Sequence, residues 1–170
     1  MKAAEAKTVA DFLLATLASE IPVTTRVFDA VPEDKLDYRP DAVSKTALDL
    51  VRHITLEDEW MLNAVADGKF GPMPDQSDAC GLMTPSDAVV QYGVRINAAM
   101  VRVKALPAEA LTREVDLMGA IQMPAIQFLS LTIRHSAHHR GQLSAYLRAM
   151  GSKVPSIYGP SADTMTMSAA

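Results

Sequence analysis

Proline and glycine cut this chain into four stretches of about 20 residues or more, and in each the apolar residues recur with the period of an α-helix. The first covers residues 3–30, with Phe12, Leu13, Leu17, Ile21, Val27 and Phe28 at helical spacing. Pro22 inside it predicts a kink or a frayed turn. Two prolines and a charge cluster make residues 31–40 a loop. Thr46-Ala-Leu-Asp49 then fits a capping box, and the helix it opens runs to about Asp67, where Gly68 ends it. Residues 68–83 hold three Gly and two Pro, a connection long enough to be functional or mobile. Thr84-Pro-Ser-Asp87 opens the third helix, which carries Val89, Val90, Val94, Ile96, Met100, Val101 and Val103 and stops by Pro107. Pro124 starts the fourth, which reaches Met150, with Gly151 as its stop and Ile126, Leu129, Ile133, Leu143, Tyr146 and Leu147 on its apolar faces.

Four such helices, each with a stripe to bury, describe an all-α four-helix bundle. Between helices 3 and 4, Thr112–Met118 alternates as a short strand does, and Gly119–Met123 completes a β-hairpin. A two-stranded ribbon is marginal alone, so it must lie on the bundle. The tail, residues 152–170, reads as extended and packed in part. At 170 residues the expectation is one domain spanning 1–170.

Composition narrows the function. A net charge of −4 argues against nucleic-acid binding, which needs a basic surface. No stretch reaches the ~20 apolar residues of a membrane span, and the charged, amphipathic N-terminus lacks a signal-peptide core, so a cytoplasmic location is the default expectation. Cys80 stands alone in a Gly/Pro loop with no histidine nearby in sequence, which leaves little support for a nucleophile there. The ten Met are core filler by default.

Three of the four histidines crowd into His135-Ser-Ala-His-His-Arg-Gly-Gln142, within the fourth helix. His135 and His139 lie one above the other on one face, the spacing at which two imidazoles chelate one divalent ion. The Glu of H-E-x-x-H is missing, so a zincin protease is not spelled. His138 is turned about 100° away. With His53 from the second helix, three imidazoles would leave coordination positions open, as catalytic centres do, and they suit Zn, Ni, Fe or Cu. Glu57, four residues after His53, is the candidate catalytic group, a base or fourth ligand; it reads equally as one charge of an exposed run, Glu57-Asp58-Glu59. Trp60, Gln142 and Tyr146 are the candidate substrate contacts, against readings of Trp60 and Tyr146 as core and of Arg140 and Gln142 as a polar helix edge. Gly141, unfavourable in a helix, suggests that a backbone or ligand approaches closely.

The segments Thr46-Ala-Leu-Asp-Leu-Val-Arg-His53-Ile, His135-x-x-x-His139-Arg-Gly-Gln-Leu143, Leu147-Arg-Ala-Met-Gly151 and Val154-Pro-Ser-Ile-Tyr-Gly159 together make the chain resemble the DinB/YfiT-like family. The resemblance covers nearly the whole chain. It implies a four-helix bundle of mirror-variant topology, often a homodimer, with a three-histidine site for nickel or zinc whose ligands here are His53, His135 and His139. Characterised members of the family include transferases and isomerases dependent on small thiols such as bacillithiol or mycothiol. The resulting expectation is a metal-dependent thiol S-transferase acting on a small-molecule thiol and an electrophile. The alternatives are a metal-activated hydrolase and a non-catalytic metal- or ligand-binding stress protein. Metal affinity is expected to fall below about pH 6.5, where free imidazoles protonate.

Overall fold

The computed structural model of the protein describes residues 1–165; the tail positions 166–170 lie outside the described residues. Four helices, α1 (Ala3–Asp29), α2 (Ala47–Asp67), α3 (Pro85–Lys104) and α4 (Ala125–Ala149), pack around one apolar core, with strands β1 (Glu114–Leu117) and β2 (Ile121–Pro124) between α3 and α4. The expected bundle with its hairpin is the observed fold. α2 packs on α3 and α4, and so does α1, so the consecutive pairs α1/α2 and α3/α4 lie across diagonals. α2 and α4 run antiparallel: Tyr146 reaches the Lys45 carbonyl, His139 meets His53, and His135 meets Asp58.

The two capping boxes form as their sequences require. Thr46 Oγ1 accepts from Asp49 N at 3.1 Å while Asp49 accepts from Thr46 N at 3.3 Å, and Thr84 and Asp87 do the same at 3.2 and 2.8 Å. Gly68 closes α2 in the left-handed conformation, φ 71°. The hairpin pairs Val115 with Met123 and Leu117 with Ile121, and buried Val115 fixes it to the bundle. Pro124 ends β2 and serves as the N-cap of α4, one position outside the helix it was expected to start.

Other expectations change. α1 continues through Pro22 without a frayed turn. The lost N–H bond falls on an exposed face, and buried Leu17, Val27 and Phe28 hold the helix on either side. Phe12, Val90, Val94 and Val101 are 70%, 72%, 70% and 69% exposed. Their helices bury narrower stripes, Ala88, Tyr92, Ile96 and Val103 in the case of α3. Nothing would lie within 4 Å of a Cβ added to Gly141, so no close approach explains that glycine. No helix among the described residues is long and apolar enough to cross a membrane.

The 68–83 connection is pinned rather than free. Buried Arg52 donates from Nε to the Leu82 carbonyl at 2.8 Å and pairs with Asp78 at 2.7 Å, and Trp60 Nε1 donates to the Gly71 carbonyl at 3.1 Å. The tail is pinned by Arg140, which is no polar edge: only 1% exposed, it pairs with Glu20 at 2.6 Å, donates to Thr24 at 2.9 Å and to the Tyr158 hydroxyl, and lies over the Tyr158 ring.

Two substitutions test this packing. Arg140→Ala leaves Glu20 without its buried partner, and urea denaturation should show a loss of about 3 kcal/mol with faster proteolysis beyond Gly151. Gly141→Ala should instead raise stability by about 0.5–1 kcal/mol, because the site is helical, open and exposed.

Candidate metal centre

His53 from α2 and His135 and His139 from α4 converge through their ring nitrogens, one ligand atom from each lying within 4.8 Å of the others. His53 Nε2 is 3.0 Å from His139 Nε2 and 3.2 Å from His135 Nε2. His138 stays outside, exposed, with its ring edge-on to His139 at 4.8 Å. Helical register produces the convergence: His135 and His139 stack one turn apart on α4, and antiparallel α2 presents His53 to both.

The far side of each ring meets an oxygen. His135 Nδ1 is 3.1 Å from Asp58 Oδ1, His139 Nδ1 is 2.7 Å from Gln142 Oε1, and His53 Nδ1 lies 2.8 Å from Glu57 Oε1. The last approach has the distance but not the direction of a hydrogen bond, which leaves His53 Nδ1 without an aligned partner among the described residues. An oxygen behind Nδ1 keeps the proton there and turns the Nε2 lone pair inward. His53 Nε2 thus stands 3.0 and 3.2 Å from the other two ring nitrogens, spacings at which facing lone pairs repel unless a proton or a metal cation stands between them. Nitrogen atoms bound to one tetrahedral zinc at ~2.0–2.1 Å are about 3.3–3.4 Å apart, close to the spacings seen. The donor set and its spacing therefore fit a divalent transition metal.

Two carboxylates stand beside the rings. Glu57 accepts from Gln76 Nε2 at 2.8 Å, and its Oε2 lies 3.4 Å from His135 Nε2. Burial works against its ionisation, but the facing rings of His135 and His53, with the Gln76 amide, prevail and hold it well below the usual carboxylate range. Asp58 is 1% exposed and takes a hydrogen bond from Tyr92 at 2.8 Å. Its burial raises its pKa, against the pull of His135. The run Glu57-Asp58-Glu59 is thus no exposed charge cluster: Asp58 is core, Glu57 faces the imidazoles, and Glu59 pairs with Arg95 at 2.7 Å. Burial disfavours the His135 imidazolium, yet Asp58 and Glu57 overcome it and push the ring up to about 9. Burial, reinforced by charge on the neighbouring imidazoles and opposed by Gln142, lowers His139 to about 4.

The candidate substrate contacts divide. Gln142 is at the centre, behind His139. Trp60 and Tyr146 each sit seven residues from a histidine, nearly two turns or about 10 Å along the helix axis. Trp60 packs on Phe70 at 4.6 Å between centroids, and Tyr146 on Tyr38 at 5.5 Å. A shared helix face did not bring either to the imidazoles. Trp60 and Cys80 line a separate depression of about 320 Å³, and a larger groove of about 520 Å³ runs between α1 and α3; neither includes a histidine. Sequence reasoning missed Asp58, Gln76 and Tyr92. Asp58 alone carried a signal, a carboxylate within the buried stripe Val51-Ile54-Asp58-Leu62-Val65.

Fold and cluster together define a helical bundle with a three-histidine candidate metal centre. The chain belongs to the DinB family, whose model matches residues 7–169. It is 28% identical over 131 residues to the uncharacterized protein YjoA of Bacillus subtilis (strain 168), covering 76% of this chain and 82% of that one. The crystal structure of the DinB-like YjoA superposes with a TM-score of 0.69 at 23% identity, over 87% of this chain and 99% of that chain. A DinB-like protein from Bacillus cereus ATCC 10987 gives 0.66 at 23% identity, over 86% and 95%. These likenesses support the fold.

The charge pattern sets a pH dependence in the metal-free protein. Because the folded state raises His135, that group's stabilisation is complete below its unfolded value near 6.5 and is lost as pH climbs through about 9. Urea midpoints of the metal-free protein should carry this loss between those limits, and Asp58→Asn should flatten it. NMR should place the His135 titration near 9; a midpoint near 6.5 would contradict the assignment.

Proposed function

We propose that this chain is a divalent-metal-dependent enzyme, its centre held by His53, His135 and His139, and that it acts as a thiol S-transferase. One observation carries the reading: three Nε2 atoms converge while an oxygen backs each ring. Imidazole donors favour Ni or Zn, with Fe and Cu also compatible. Three protein ligands leave room for a small molecule.

A divalent ion held there would supply Lewis acidity and favour the thiolate of a small thiol. The chain's own residues do the rest. Gln76 holds Glu57 Oε1, leaving Oε2 at the edge of the centre as an acceptor for the thiol proton. Held ionised, Glu57 accepts the hydrogen bond of the incoming thiol, and the proton itself leaves to water. Asp58 and Gln142 orient the His135 and His139 rings. The pinned 68–83 segment, which delivers Gln76, forms a fixed wall against which an electrophile would rest. The thiolate sulfur attacks the electrophilic carbon, and the leaving group departs with its electron pair. The S-transfer chemistry itself rests on the family resemblance.

A second reading has its own support. Glu57 Oε2 stands close enough to the imidazoles to fill an open position, which would make the chain a non-catalytic metal-binding protein. Wild type reloaded with Ni or Zn should bind one ion per chain by elemental analysis. His139→Ala should lose stoichiometric metal yet keep its helical circular dichroism, since the core does not depend on the ion. Loaded protein should then conjugate bacillithiol or mycothiol to a chromogenic aryl halide. Turnover of an aryl ester without thiol would instead support the hydrolase reading, turnover of neither the non-catalytic one, and no metal binding would end all three.

A further inference from the structure

We infer that Tyr92 is a positioning residue of the metal centre, acting through Asp58 to fix the ring of His135. The inference rests on the metal-binding reading above and concerns how the centre is assembled.

α3 supplies no ligand, yet it sends one polar group to the centre. The Tyr92 hydroxyl donates to Asp58 Oδ2 at 2.8 Å, and Asp58 Oδ1 faces His135 Nδ1 at 3.1 Å. Tyr92 and Asp58 are 2% and 1% exposed, so water does not compete for either bond. Phe28 holds the tyrosine ring edge-to-face at 5.6 Å and sets the direction of its hydroxyl.

Donor and acceptor roles follow in sequence. A phenol that donates to Oδ2 requires that oxygen to be an acceptor. With Oδ2 and Oδ1 engaged on opposite sides, the carboxylate plane cannot rotate, and Oδ1 stays in line with His135 Nδ1. That fixes the ring with its Nε2 toward His53 Nε2, 3.2 Å away. Without the hydroxyl, Oδ2 loses the hydrogen bond that faces it; the neighbouring Ser136 Oγ lies 3.5 Å from the Tyr92 oxygen. Asp58 could then turn, and the His135 ring would lose the oxygen that aims its Nε2 at the centre.

A phenylalanine would fill the same volume and keep the contact with Phe28. Tyr92→Phe therefore isolates the hydroxyl. In a competition titration against a chromophoric chelator, its Zn affinity should fall about tenfold, the low end of the 10–100-fold range for groups behind a ligand. The Co(II)-loaded variant should show a shifted d–d spectrum as the ring loosens. Asp58→Asn should cost more, roughly 100-fold. Adding Tyr92→Phe to Asp58→Asn should cost nothing further, because the hydroxyl acts only through the carboxylate. Val103→Ala, a buried α3 truncation outside the centre, controls for general destabilisation: it should lower the urea midpoint and leave Zn affinity unchanged. Wild type that binds no Zn would overturn the metal-binding reading itself. Wild type that binds while Tyr92→Phe stays within twofold, or additive effects in the double variant, would overturn this inference alone.

Discussion

A carboxylate buried in the middle of a helical bundle costs several kcal/mol unless other groups compensate it. Asp58 is that group here, and the partners it needs come from different helices: the Tyr92 hydroxyl from α3 and the His135 imidazole from α4. Apolar contacts tolerate small sliding of one helix along another, whereas a hydrogen bond fails within about half an ångström of misplacement. Asp58 therefore acts as a register pin for three helices. Once α2 and α4 are locked at Asp58–His135, helical geometry brings His139, one turn on, opposite His53, one and a half turns back. The convergence of the three rings is a consequence of that pin.

Arg140 plays the corresponding part on another side of α4. It sits one residue beyond His139, about 100° round the helix, and reaches Glu20 and Thr24 of α1 as well as Tyr158 of the tail. α4 thus presents three faces along its second half: histidines toward α2, a cation toward α1, and Leu143 and Leu147 in the core. The centre is held from both ends, because α4 cannot rotate to relax the histidines without breaking the Arg140 pair. This explains how two half-buried imidazoles on one helix can be held in place on a scaffold of otherwise adaptable apolar contacts.

Much of this was legible in the residues. Caps, breaks and apolar period located all four helices and the hairpin, because those signals are local: Thr46 and Asp49 need only each other. The His135/His139 pair was legible for the same reason, as one helical turn fixes it. Tertiary partners were not. Nothing near Asp58 in sequence names Tyr92 or His135, and its two acidic neighbours made it look like part of a solvated run. Its position within a buried stripe was the clue, as was that of Arg140 between Ser136 and Leu143: a charge at a core position implies a partner elsewhere. Trp60 shows the converse case. A helical face is a direction, and residues sharing it can still stand two turns apart.

Charge balance carries the argument about the ion one step further. The centre holds two carboxylates, Asp58 in the core and half-buried Glu57, against three imidazoles. With all three rings neutral and both acids ionised, the cluster bears two uncompensated negative charges in a largely desolvated place. One proton on His135 offsets half of that, which is why the ring is held up to about 9. A second proton is opposed, since burial, reinforced by neighbouring imidazole charge, lowers His139 to about 4. A dication would cancel both charges at once and would give all three Nε2 atoms one shared electrophile, which a proton on one ring does not. An affinity for a divalent ion would thus come from the acids behind and beside the imidazoles as much as from the imidazoles themselves.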